Sequence, residues 1–262
     1  MAVIALSCSV MNEARVIESG VGMSSETSSH RPGAAGGVHG VRAVLLDALG
    51  TLVALEPPAP RLRAALRELG GVDVGAQAAE RAFRAEIDHY LAHHLDGGDP
   101  PGLDRLRDGC ATVIQESLGE HDLDHSVVRS AMLDSLRFAA FHEVKPALCD
   151  LRARGLRLVV VSNWDCSLGH WLDRAGLGGL LDGVVSSAVV GQAKPGGAPF
   201  RAALELAGVN PAEAVHVGDS LVNDVEGARG AGVRAILVAR GGETAPQGVT
   251  TARSLSEIAS LL

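Results

Sequence analysis

The run Val44-Leu45-Leu46 is apolar at every position and ends on Asp47, and this feature most restricts what the chain can fold into. A strand with one wet face alternates apolar and polar residues. A strand that is apolar throughout is covered on both faces, as in a parallel sheet flanked by helices. The pattern returns further along the chain. Helical text from Ala147 to Arg154 stops at Gly155 and leads into the apolar run Leu156 to Val161. Further strands are expected at Val184 to Ser187, Ala214 to Val217 and Ala235 to Val238, with helical text between each pair. Repeated βα units of this length predict an α/β fold: a Rossmann-like, doubly wound parallel sheet with right-handed crossovers. Asp47 then stands at the carboxyl end of a strand, where open sheets of this kind bind their ligands.

Between Glu56 and about Pro146 the text is helical, with no convincing strand. Phe83, Ile87, Leu91 and Leu95 recur every fourth residue. Leu103, Leu106, Cys110, Val113 and Leu118 form a second stripe, and Val128, Met132, Ser135-Leu136 and Ala139 a third. Glycine and proline breaks at Gly70-Gly71, Gly97-Gly98, Pro100-Pro101 and Gly119 separate them. These stripes predict a helical bundle over 56–141, inserted into a core made of 41–55 and 142–262. The first forty residues are expected to be a disordered tail, since the text from Glu18 to Gly40 is rich in serine and glycine and lacks periodicity. The apolar stretch at its start is too short for a membrane helix and has no positive residues ahead of it, so no signal peptide is expected.

Composition removes other functions. With 31 acidic against 23 basic residues, a formal charge of -8 and no long basic run, the chain has no electrostatic footprint for nucleic acid or an anionic membrane. Cys8, Cys110, Cys149 and Cys166 are far apart without a CxxC pair, which fits free thiols and a cytoplasmic location. His89 and His93 have i, i+4 spacing but no third ligand, and read as surface residues. Gly227, Gly230 and Gly232 lie within and after a helix, so they do not form a dinucleotide fingerprint.

Four polar stations remain, each where a parallel sheet would gather them. They are Asp47 with Gly50-Thr51, Ser162-Asn163 after the second core strand, Lys194 held by Pro195 ahead of a helix, and Gly218-Asp219 with Asp224. Taken singly, each has a plain reading as a turn former, a helix cap or a solvated side chain. Lys194 is harder to dismiss, because the chain has only two lysines, Lys145 and Lys194, and every other cationic side chain is arginine. Together the four stations, in this order, resemble the haloacid dehalogenase-like superfamily of aspartate-nucleophile hydrolases, from Val41 to about Leu262.

The resemblance implies that Asp47 is a nucleophile and that a Mg²⁺ ion is bound by Asp47, Asp219 and the main-chain carbonyl of Leu49. It also implies that Ser162, Asn163 and Lys194 hold the phosphoryl oxygens of a small phosphorylated metabolite, with Thr51 and Asp224 in supporting roles. One position departs from the pattern. Most phosphatases of the family read DxDGT, and here the second aspartate, which protonates the leaving group, is replaced by Leu49. Three readings stay open at this point. One is a Mg²⁺-dependent phosphohydrolase, turning over slowly, restricted to good leaving groups or borrowing an acid from the insert, with His89, His93 and His94 as candidates. The others are a metal-free 2-haloacid dehalogenase and a non-catalytic protein that binds a phosphorylated ligand.

Overall fold

The computed structural model describes residues 40–119, 123–241 and 246–262, so the tail expected over the first forty residues lies outside them except for Gly40. The first elements of the described residues are β1 (Ala43–Leu46) and a short β2 (Val53–Leu55), followed by four helices: α1 (Pro58–Gly70), α2 (Ala76–His93), α3 (Pro100–Leu118) and α4 (His125–Ser135). The chain returns through β3 (Phe138–Ala140) and α5 (Val144–Ala153) to β4 (Arg157–Ser162), α6 (Leu168–Arg174) and β5 (Gly183–Ser186). The one-turn α7 (Ser187–Val190), α8 (Gly197–Ala207), β6 (Ala214–Gly218), β7 (Arg234–Val238) and β8 (Thr250–Ala252) follow.

Six strands form one parallel sheet in the order β5-β4-β1-β6-β7-β8. The continuous apolar run of β1 is explained by its two faces. Val44 and Leu46 enter one hydrophobic cluster with Leu148 and Leu151 of α5 and Leu168 of α6, whereas Ala43 and Leu45 enter another with Phe200, Ala203 and Leu204 of α8. Each fully buried Leu or Val contributes roughly 1.5–3 kcal/mol, so a polar residue on either face would be costly. β1 is also where the winding reverses, with β4 on one side and β6 on the other. Reversal opens a crevice at the carboxyl ends of these three strands.

The helices α1 to α4 bury a separate cluster, including Leu62, Leu66, Phe83, Ile114 and Met132. Local chemistry starts them: Pro58 occupies the first turn of α1, and the carboxylates of Asp99 and Asp124 accept the backbone N–H groups of Gly102 and Ser126 at 2.7 and 2.8 Å. Where the chain leaves and re-enters the sheet region, β2 and β3 pair antiparallel. This corrects the expectation that no strand lies between Glu56 and Pro146. Phe138-Ala139-Ala140 is too short to announce itself and becomes a strand because Val53–Leu55 offers it a partner.

The expected stripe of α2 also needs correction. Phe83 is buried, but Ile87, Leu91 and Leu95 are exposed, Leu91 by 58%, and the inward face carries Ala79, Ala82 and Glu86 instead, with His94 buried just past the helix. The cause is helical pitch: at about 100° per residue, every fourth residue advances about 40°, so a row that starts inward at Phe83 has turned out by Leu91. Glu86 and Tyr90 fall at about −60° and −20° from Phe83, within the arc that packs. No helix among the described residues is long and apolar enough to cross a membrane. Cys110 and Cys149 are free of disulfides, and Cys8 is outside the described residues.

Candidate active site

The crevice at the sheet's reversal point holds the polar stations. Asp47 follows β1 and is anchored by its own N–H, which donates to Val217 O at 2.9 Å. The next residues turn back sharply, with Gly50 N–H donating to Val53 O and both Leu52 and Val53 N–H donating to Ala48 O. Gly50 has φ +82°, and a Cβ there would strike the Asp219 carboxylate, so this position admits only glycine on two counts. Gly218 has the same steric logic, since a Cβ would collide with the Asp224 carboxylate. The glycines therefore let two acidic side chains lie against backbone.

Asp47, Ser162, Lys194 and Asp224 are joined directly. Ser162 Oγ donates to Asp47 Oδ1 at 2.9 Å, and Lys194 Nζ donates to the same oxygen at 2.7 Å and to Asp224 Oδ1 at 2.5 Å. All four residues are buried. Burial opposes the charged forms, yet the two carboxylates outweigh it and hold the Lys194 ammonium above its usual range. Asp224 is likewise held below the ordinary carboxylate range, because its bonds to His216 and Lys194 exceed the cost of burying it. Asp47 is raised by burial and by the Asp224 charge, with Lys194 opposing.

Asn163 acts through its amide: Oδ1 accepts Lys194 N–H at 2.7 Å and Nδ2 donates to Lys194 O at 3.0 Å, a two-point clamp on the lysine's backbone. The Lys194–Pro195 peptide within this clamp is cis. Asp219 is solvent-exposed on its outer side. The protein around its inner side, then the charges of Asp47 and Asp224, push its carboxyl up to about 6. One oxygen each from Asp47, Asp219 and Asp224 lie within 4.8 Å of one another. Three hard oxygen donors beside one ammonium leave negative charge unmatched, and such a donor set fits a hard divalent cation. Asp224 is the least free of the three, since Lys194, His216 and the backbone N–H of Ser220 already occupy it.

A family model described as haloacid dehalogenase-like hydrolase matches residues 41–232. The chain belongs to the haloacid dehalogenase-like hydrolases. Among curated relatives, haloacid dehalogenase-like hydrolase domain-containing protein 3 of Mus musculus is 30% identical over 207 residues, covering 76% of this chain and 82% of the relative. Phosphoserine phosphatase of Thermus thermophilus is 36% identical over 130 residues, covering 49% of this chain and 52% of the relative. A HAD phosphatase from Thermococcus onnurineus superposes with a TM-score of 0.60 at 25% identity, over 84% of this chain and 97% of that one. A 2-haloacid dehalogenase from Pseudomonas syringae pv. Tomato gives the same TM-score of 0.60 at 23% identity over 84% and 97% of the two chains, a likeness of fold.

Two residues of this hydrolase's site escaped the reading of the sequence. His216 lies inside β6, with Nε2 2.9 Å from Asp224 Oδ1. Arg240, two residues past β7, donates from Nε to Gly50 O at 3.0 Å and from Nη2 to Thr51 O at 2.7 Å, pairs with Glu143, and stacks over Phe141 at 3.6 Å. It thus braces the turn after Asp47 against the segment where the chain returns from the helices. Thr51 is buried, and its Oγ1 has no partner among the described residues. Leu49 is 44% exposed in the same turn. Of the three histidines considered as substitutes, His93 pairs with Asp96, His94 Nδ1 lies 3.1 Å from Leu91 O, and none is bonded to a site residue. A separate hollow lined by Arg42, Arg201 and Asn210 lies at the amino ends of β1 and β6, the opposite edge from Asp47.

Proposed function

We propose that this hydrolase releases phosphate from small phosphorylated metabolites in the cytoplasm through a phosphoryl group carried transiently on Asp47. The observation that carries the reading is the pair of donors on one oxygen: Ser162 Oγ and Lys194 Nζ both engage Asp47 Oδ1, which orients Oδ2 as the attacking atom. In the first step Oδ2 bonds to phosphorus and the bond to the leaving oxygen breaks. The alcohol or acid leaves with a proton taken from solvent, because Leu49 has none to give. Lys194 and Ser162, with the N–H of Asn163, balance the charge on the transferred phosphoryl oxygens. Water then attacks phosphorus, freeing phosphate and restoring the Asp47 carboxylate.

Asp47, Asp219 and the Leu49 carbonyl are the groups that would hold Mg²⁺, leaving Asp224 to Lys194. When bound, the ion neutralises the repulsion between carboxylate and phosphoryl anion and polarises the phosphoryl oxygen. The helical bundle at 58–135 serves as a cap over the strand ends, excluding water and selecting substrate. A metal-free dehalogenase reading leaves Asp219 without purpose, since an unneutralised carboxylate near Asp47 would raise the nucleophile's pKa and blunt it. A binding-only reading predicts ligand affinity without turnover. The test is phosphate release from acyl and aryl phosphates with and without Mg²⁺. The reading expects metal-dependent release that Asp47→Asn abolishes. An inactive wild type, or a fully active Asp47→Asn protein, rejects it, and chloride release from a 2-haloacid without metal selects the dehalogenase.

A further inference from the structure

His216, inside β6, meets the linked carboxylates through Asp224. It is completely enclosed in β6, and the Phe200 ring meets it edge-on at a centroid distance of 5.1 Å and an interplanar angle of 89°. Packing on one side and a carboxylate on the other leave its ring little freedom. Its Nε2 lies 2.9 Å from Asp224 Oδ1, the oxygen that also receives Lys194 Nζ at 2.5 Å, while Asp224 Oδ2 accepts the Ser220 N–H at 2.9 Å. Nδ1 is buried with no partner among the described residues, and the ionised Asp224 oxygen can only accept, so Nε2 is the end of the ring that carries the bonding hydrogen.

The position of Asp224 is therefore set from several sides. Gly218 lies so close that any side chain there would collide with the carboxylate, Ser220 fixes one oxygen, and His216 fixes the other. Were His216 only a satisfied core residue, its bond could end on any acceptor. Here it is the first link of a continuous line, His216 to Asp224 to Lys194 to Asp47, with separations of 2.9, 2.5 and 2.7 Å. Charge-assisted bonds of this kind in a dry interior are directional as well as strong.

We propose that His216 is a positioning residue: by sharing Asp224 Oδ1 with Lys194, it fixes where Asp224 holds the Lys194 ammonium and hence where that ammonium meets Asp47. Its kinetic consequence rests on the phosphohydrolase reading, whereas its effect on Lys194 does not. The composition supplies a direct probe, because Lys145 and Lys194 are the only lysines. Lysine labelled with ¹⁵N gives two side-chain signals, one from the buried Lys194 ammonium and one from the exposed Lys145, which serves as the internal control.

In His216→Phe the Lys194 signal is expected to move or broaden while the Lys145 signal stays, and His216→Gln, which retains an N–H donor, keeps the wild-type Lys194 signal. Loss of one charge-assisted bond to a buried carboxylate predicts a fall in kcat on an aryl phosphate of about tenfold to a hundredfold with KM changed by less than about twofold, largely recovered in His216→Gln. Leucine replaces phenylalanine as the donor-less variant if the larger ring does not fold. An unmoved Lys194 signal in a folded donor-less variant overturns the proposal, as does a glutamine variant no better than phenylalanine. A wild type that releases no phosphate refutes the phosphohydrolase reading alone, and the lysine signals then decide the role of His216.

Discussion

Glu86→Gln tests the inverted face of α2 quantitatively. Glu86 is buried in α2, its carboxyl pushed up from 4.5 to about 7 by burial, with a hydrogen bond to the Cys110 thiol of α3 opposing. Because the folded pKa lies above the unfolded one, the folded state keeps a proton that the unfolded state releases. That contribution to stability is fully present below about pH 4.5 and is lost as pH rises toward 7. A shift of about 2.5 units at about 1.4 kcal/mol per unit sets an upper limit of about 3.5 kcal/mol. Glutamine cannot ionise, so the variant escapes the loss. Urea unfolding of both proteins at pH 5 and 7.5 should show the variant's stability rising relative to the wild type by about 2 kcal/mol between the two conditions. The titrations of Asp219 and Asp224 are common to both proteins and cancel in the difference. A difference independent of pH would mean that Glu86 is already ionised in the fold and that the packing described for α2 is wrong.

Three further outcomes are expected. Leu49→Asp, which places a carboxyl where the resemblance implies an acid, should raise turnover on alkyl phosphates by up to about a hundredfold while changing aryl and acyl phosphates little, as measured by steady-state phosphate release. Mg²⁺ affinity followed by calorimetry should weaken about tenfold from pH 7 to pH 5, because a carboxyl raised to about 6 holds its proton against the ion at the lower pH; Asp219→Asn should weaken binding at pH 7 and remove the step near 6. Arg240→Ala should cost about 2–3 kcal/mol in urea unfolding, since it removes two bonds to loop carbonyls and one ion pair, and activity should fall with it.

The sequence made the central constellation legible because each member ends an apolar strand or begins a helix, where the local text changes sharply. Asp47, Ser162, Lys194, Asp219 and Asp224 stand out by position, and a parallel sheet supplies the rule that brings strand ends together. Arg240 gave no such signal: its partners, Gly50 and Thr51, are 190 and 189 residues away, and an arginine two residues past a strand is ordinary text. His216 was hidden differently, since within Ala-Val-His-Val it reads as a strand position, and only the seat of Asp224 beneath Gly218 gives the imidazole a purpose. The four-residue spacing of Phe83, Ile87, Leu91 and Leu95 misled because spacing records a row, while burial records an arc.

Direct capture of the covalent intermediate tests the central claim. Wild-type protein mixed with Mg²⁺ and an acyl phosphate, quenched in acid and reduced with borohydride, should yield by mass spectrometry a peptide in which homoserine replaces aspartate at position 47, the mark of a phosphorylated carboxyl group. Unmodified Asp47 under conditions in which phosphate is being released, or modification at another carboxylate instead, would contradict the account.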